Sequence, residues 1–180
     1  MIGKNAVIGV HGGHAKVGSR GAKCYMDEVN EDRKLKKGML KAFRYAGYTA
    51  VDCTVAKALS QMDCLKKILK KSIKKKTTCN YSLHLNAGGG RGVELYLPTG
   101  ADQSQYLRAM NFLKEFCSTF GFENRGVKGI GSFYVNKHLK KCYLLEIGFV
   151  DSAKDHMIYN KYGAEYIGKI CGELAMKFLF

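Results

Sequence analysis

Residues 81–87, Tyr-Ser-Leu-His-Leu-Asn-Ala, set a lone histidine, His84, at the end of a strand-like run. Two other segments carry groups able to work with it: His11-Gly12-Gly13 closes the first apolar run, and Glu146 lies within Leu144-Leu145-Glu146-Ile147-Gly148-Phe149. Imidazole and carboxylate are zinc ligands, and a catalytic zinc takes three protein ligands and keeps one position open, two His plus one Glu being one such set. Desolvation after Tyr143-Leu144-Leu145 raises a carboxyl pKa toward the range useful for a general base. The chemistry these residue types imply is metal-assisted hydrolysis at a single zinc ion.

Spacing leaves the ligand register open. His84 is one histidine and either His11 or His14 the other, while the carboxylate is Glu28 or Glu31, and the pairs His11/Glu28 and His14/Glu31 have the same separation. Helical geometry favours Glu28: at about 100° per residue it falls within roughly 20° of Leu35, on the stripe that Met39, Phe43 and Ala46 also occupy. Asn86, two residues past His84, is a candidate for substrate contact. Gly88-Gly89-Gly90 is read as a flexible turn and not a phosphate cradle, because no Gly-Lys-Ser/Thr follows. His138 and His156 sit in polar surroundings and are read as surface residues.

The elements that must position these groups alternate between strand and helix patterns. Strands are expected over residues 6–10, 48–53, 80–85, 92–97, 132–135 and 142–147. Helices are expected over 28–46, stopped by Gly47, over a basic stretch 62–75, and over 103–120 with Tyr106, Met110, Leu113 and Phe116 inward. A final helix repeats Tyr162, Tyr166, Ile170, Leu174 and Phe178 at every fourth position, and Ser152-x-x-Asp155 resembles a capping box. The expected fold is α/β, a three-layer sandwich with a mostly parallel sheet of about six strands flanked by helices. In such sheets ligands gather beyond the carboxyl ends of strands, which is where His11, His84 and Glu146 fall.

At 180 residues the chain fits a single domain able to bury a core without staples. No segment is long and apolar enough to span a bilayer, and the first residues lack the apolar core of a signal peptide, so synthesis in the cytoplasm is the expectation. The seven cysteines show no Cys-x-x-Cys spacing and are expected to be reduced thiols, most of them packed as small hydrophobes. Thirty Lys plus Arg against fifteen Asp plus Glu give a formal charge of +15, which implies attraction to a polyanion. Nucleic acid, anionic lipid and anionic wall polymers are all candidates, although the basic helix has no interleaved aromatics for base stacking.

Taken together, His11-Gly12-Gly13, the helix-opening Glu28, His84 in Ser-x-His-x-Asn-Ala and Glu146 in Leu-Glu-x-Gly-Phe resemble the zinc-dependent N-acetylmuramoyl-L-alanine amidases, the cell-wall hydrolases found as bacterial autolysins and phage endolysin catalytic domains. The likeness runs from about Ala6 to the C-terminus, with Val10 where the family usually has glycine and Gly13-His14 as a second way to match. The resemblance implies Zn2+ held by His11, Glu28 and His84, with Glu146 catalytic and not a ligand. It also implies peptidoglycan as substrate, cut between N-acetylmuramic acid and L-alanine after the enzyme reaches the wall. The chain is expected to be one catalytic domain, residues 1–180, with no separate wall-binding domain, and its basic surface to meet anionic wall polymers. A different zinc peptidase or deacylase on a similar fold, or a basic nucleic-acid-binding domain, are the alternatives.

Overall fold

The computed structural model describes residue 3, residues 5–129 and residues 133–180. Six strands form one sheet, β1 (Val7–Gly12), β2 (Thr49–Asp52), β3 (Cys79–Asn86), β4 (Val93–Tyr96), β5 (Asn124–Lys128) and β6 (Cys142–Phe149), in the order β2-β1-β3-β6-β4-β5. The strands β2, β1, β3 and β6 run parallel, β4 is antiparallel to β6, and β5 is parallel to β4. Alternation along each strand sorts side chains to two faces. Ile8, Val10, Tyr81, Leu83, Leu85, Tyr143, Leu145 and Ile147 face one large core, and Cys142 and Leu144 a smaller one.

Over the large core lie α1 (Glu28–Tyr45), α3 (Gln103–Phe120), α5 (Ala153–Tyr162) and α6 (Ala164–Phe178). The opposite face is covered by α2 (Gln61–Lys74) and the short α4 (Tyr134–His138), through Cys64, Ile68, Val135 and Leu139. The α/β sandwich expected from the sequence is therefore present. Asp27 caps α1, accepting from Asn30 N at 3.2 Å, so Glu28 opens the helix on its inward stripe with Leu35, Met39 and Phe43.

Several expectations are corrected. The last helical stretch is two helices, because Gly163 takes a φ of 77° and breaks the run between α5 and α6. The stripe that α6 buries is Ala164, Ile167, Gly168, Cys171, Gly172, Leu174 and Ala175; of the expected repeat Leu174 is in the core, Tyr162, Ile170 and Phe178 pack partly buried against it, and Tyr166 is exposed. An every-fourth-residue repeat drifts by about 40° per step, so most of it flanks the fully buried stripe. Small residues belong there because α1 passes very close: a Cβ on Gly168 would meet Leu35 O at 1.9 Å, and one on Gly38 would meet Glu165 O at 1.9 Å. In α3 the inward residues are Ala109, Phe112, Leu113, Phe116 and Phe120, with Tyr106 and Met110 partly exposed.

Around the fifth strand the expectation also fails. Residues 124–128 form β5, and the segment expected as strand 132–135 gives α4 from Tyr134 onward, Ser132 lying outside the described residues. Asn136, 1% exposed, donates from Nδ2 to Leu97 O and Cys142 O at 3.0 Å each, so tertiary hydrogen bonds hold this turn against the strand propensity of Phe133-Tyr134-Val135.

Candidate active site

The carboxyl ends of β1, β3 and β6 and the N-terminus of α1 converge at one edge of the sheet. His84, near the end of β3, lies level with Glu146 on β6. The Glu28 side chain reaches across from α1: its Oε1 lies 3.1 Å from His84 Nδ1 and 3.5 Å from His14 Nε2, and it accepts from Leu85 N at 3.3 Å. Its Oε2 accepts from Ala22 N at 2.9 Å. His14, Glu28 and His84 each offer a ligand atom within 4.8 Å of the others. Ser82 Oγ, 3.1 Å from His84 Nε2, fixes the ring from behind. Alternation puts Ser82 on the same strand face as His84, so the Ser-x-His pattern itself contains this partner.

His11, expected as the first ligand, lies outside this group of three. It pairs in register with Ser82 inside the sheet, one pleat or about 6.6 Å short of His84 along the parallel strands, and is fully buried. Burial first, then the nearby His84, lower its pKa to about 3, against a small opposing influence of Asp52. His14, three residues on, lies past the end of β1. Glu31, the other carboxylate considered, instead bonds Lys34 at 2.8 Å.

The two glycines after His11 have a steric role. A Cβ on Gly12 would meet the Asp32 carboxyl at 2.4 Å, and one on Gly13 would meet His84 Cε1 at 1.6 Å. The His-Gly-Gly motif thus makes room for the imidazole of His84. Gln61, from the start of α2, donates to Gly13 O at 3.2 Å and lines the cleft beside His14, a contribution with no local motif.

The electrostatics follow from burial. Desolvation pushes His84 down, but the hydrogen bond to Glu28, together with the charges of Glu146, Glu28 and Asp32, raises it to about 9. Desolvation pushes Glu28 up, and its bond to His84 with the other partners brings it below the usual value. Desolvation dominates at His14 and lowers it. Glu146 is raised from 4.5 to about 7, mainly by burial, with Glu28 and Glu94 adding repulsion and His84 opposing it. Its Oε2 is buried and, among the described residues, has no hydrogen-bond partner. A cleft of about 550 Å³ joins these groups, lined among others by His14, Glu28, Gln61, His84, Asn86 and Glu146. In its wall Asn86 accepts from Ala87 N at 2.8 Å. Of the other two histidines, His156 stacks on Tyr25 at 5.8 Å and His138 packs at a tilt against Tyr134 at 4.2 Å, and neither lines the cleft.

Two imidazoles converging on one buried carboxylate oxygen fit a zinc ion in ligand type and number. The arrangement is a cleft at the carboxyl edge of an α/β sheet, with ligand-type and ionisable groups gathered in it. The sequence profile of the N-acetylmuramoyl-L-alanine amidase family matches residues 6–170, and the chain belongs to that family. An uncharacterised protein of Clostridium perfringens strain 13 is 27% identical over 175 residues, covering 92% of this chain and 50% of that protein. A second Clostridium perfringens protein, of 38.4 kDa, is 26% identical over 89% of this chain and 48% of its own length. The chain therefore spans about half the length of the curated relatives it matches.

Among solved structures, the catalytic domain of the endolysin CD27L, which targets Clostridia Difficile, superposes with a TM-score of 0.84 at 20% identity, covering 96% of this chain and 98% of that one. The amidase AmiC2 of Nostoc punctiforme gives 0.78 at 20% identity, covering 98% of each. The CwlV catalytic domain of Bacillus (Paenibacillus) polymyxa gives 0.77 at 18%, covering 97% and 98%. At these identities the likeness establishes a shared fold.

Proposed function

We propose that this chain is a zinc-dependent N-acetylmuramoyl-L-alanine amidase that hydrolyses the amide between the lactyl group of N-acetylmuramic acid and L-alanine in peptidoglycan, as a phage endolysin or related lytic enzyme acting on the bacterial wall. The observation that carries this reading is the convergence of His14 Nε2 and His84 Nδ1 on Glu28 Oε1, in one cleft with Glu146. His14, Glu28 and His84 would hold the zinc, in place of the His11 set expected from the motif. Zinc bound there supplies Lewis acidity to the scissile carbonyl and to the attacking water.

The protein's own residues do the rest. Glu28 keeps its charge through its hydrogen bonds and so remains a competent ligand. Ser82 and Glu28 orient His84, and Gln61 stands beside His14. Glu146, whose unpartnered Oε2 has a pKa raised to about 7, takes the proton from water and later delivers it to the leaving amine nitrogen. Asn86 contributes polar contacts to substrate from the cleft wall.

Zinc stoichiometry in four single variants tests the ligand set. His14→Ala and Glu28→Ala should lose tight zinc, while His11→Ala and Glu31→Ala keep it. Metal retained in His14→Ala and lost in His11→Ala would restore the His11 set. We further propose that the basic surface, with its Lys57, Lys67, Lys70, Lys71 and Lys74 groove, attracts anionic wall polymers.

A further inference from the structure

Two strands beyond β6, an arginine is held in a way that the hydrolytic groups do not use. Glu94 lies directly across from Glu146 in the antiparallel β4–β6 ladder and is 3% exposed. Its Oε2 accepts from Tyr96 OH at 2.9 Å, and its Oε1 accepts from Arg125 Nε. The guanidinium lies over the Phe149 ring, 4.9 Å from its centroid. That ring in turn abuts Gly90, where a Cβ would come within 2.5 Å of it. Arg125 is thus fixed at Nε and on one face, and among the described residues its Nη groups donate no hydrogen bond.

Arg125 borders an open depression of about 480 Å³ shared with Gly89, Gly90, Arg91 and Lys154. Of the two carboxylates of that depression, Glu123 pairs with Arg91 at 2.5 Å, and Asp151 accepts through Oδ2 from Gly88 N and Gly89 N at 2.9 and 2.8 Å. Residues 86–90 connect it to the cleft, Asn86 and Ala87 lining the cleft and Gly89 and Gly90 the depression.

We propose that Arg125 is a specificity-determining residue that binds a carboxylate of the stem peptide, an inference that rests on the amidase reading. A guanidinium with a pinned Nε and free Nη donors is preorganised for a planar anion. The glycan side offers no such anion, because its lactyl carboxyl is consumed in the amide, whereas the peptide side carries carboxylates. Distance agrees: β5 lies two strands from β6, or about 10 Å. An extended peptide advances about 3.3–3.6 Å per residue, so the second or third residue past the scissile bond reaches it.

The test uses soluble muramoyl peptides that carry a free carboxylate or a carboxamide on those residues, with kcat/KM measured for each. The wild-type protein should prefer the acid by about 10- to 100-fold, expressed mainly in KM. That ratio should fall toward one in Arg125→Gln. Because Arg125→Gln leaves the buried Glu94 with only the more distant Lys128, at 3.9 Å, as cation, the double variant Arg125→Gln/Glu94→Gln is measured as well and should show the same collapse. A wild-type ratio near one, or a ratio preserved in the double variant, overturns the subsite. Failure of the wild-type protein to cleave either peptide counts against the hydrolytic reading on which the subsite rests.

Discussion

At the scale of single residues, Glu146 and the ligand group divide the work, and each can be perturbed alone. Glu146→Gln keeps the shape of the side chain but cannot accept a proton, so it should retain zinc and lose on the order of 10²- to 10⁴-fold in rate; near-normal turnover would remove Glu146 from the mechanism. The same substitution has a stability signature in the apoprotein. Because the folded value of Glu146, about 7, lies above its ordinary 4.5, the native state holds a proton that the unfolded chain has lost between these values. Stability then falls as pH rises through that window. Glu146→Gln should match the wild-type protein near pH 4 and exceed it above pH 7 by on the order of 1–3 kcal/mol, as read by denaturant unfolding in the presence of a chelator. Equal pH dependence in the two proteins would contradict the burial account of that carboxyl.

At the scale of elements, glycines set how closely chain segments approach the site and one another. Gly13→Ala should leave the fold intact but abolish tight zinc binding, because the added Cβ would occupy the position of the His84 ring; full zinc occupancy in that variant would show that the motif glycine does not make room for the ligand. In the α1–α6 contact, Gly168→Ala should destabilise by about 1–3 kcal/mol through overpacking against Leu35 O, despite the gain in helix propensity. Gly172→Ala, which meets Ala42 Cβ at 3.0 Å, should stay within about 1 kcal/mol of wild type. Much of this framework was legible in the chain, because strong apolar runs and a 3.6-residue period mark β1, β3, β6, α1 and α3. Glu28 could be placed inward from its helical phase alone. The first histidine could not, because whether His11 or His14 reaches His84 depends on the register of β1 against β3 and on where β1 ends, which local pattern does not encode. Asn136 and Gly163 escaped for a related reason: one acts through long-range hydrogen bonds and the other through a single backbone angle.

At the scale of the whole molecule, a chain of formal charge +15 carries a cleft lined by two histidines and two carboxylates among apolar residues. Exposed lysines act over about 8 Å at physiological ionic strength, so binding to walls should weaken steeply with salt and with removal of anionic wall polymers. Sedimentation with intact and stripped walls across a salt series checks this. Equal, salt-insensitive binding to both would show that charge is not the anchor, and stronger retention on DNA would favour nucleic acid as the polyanion. The central claim concerns which bond is cut. Mass spectrometry of purified peptidoglycan digested by the zinc-loaded protein should reveal free lactyl carboxyls on muramic acid and peptides that begin with L-alanine, both absent with His14→Ala. New ends within the peptide, or deacylated sugars with the muramoyl amide intact, would contradict it.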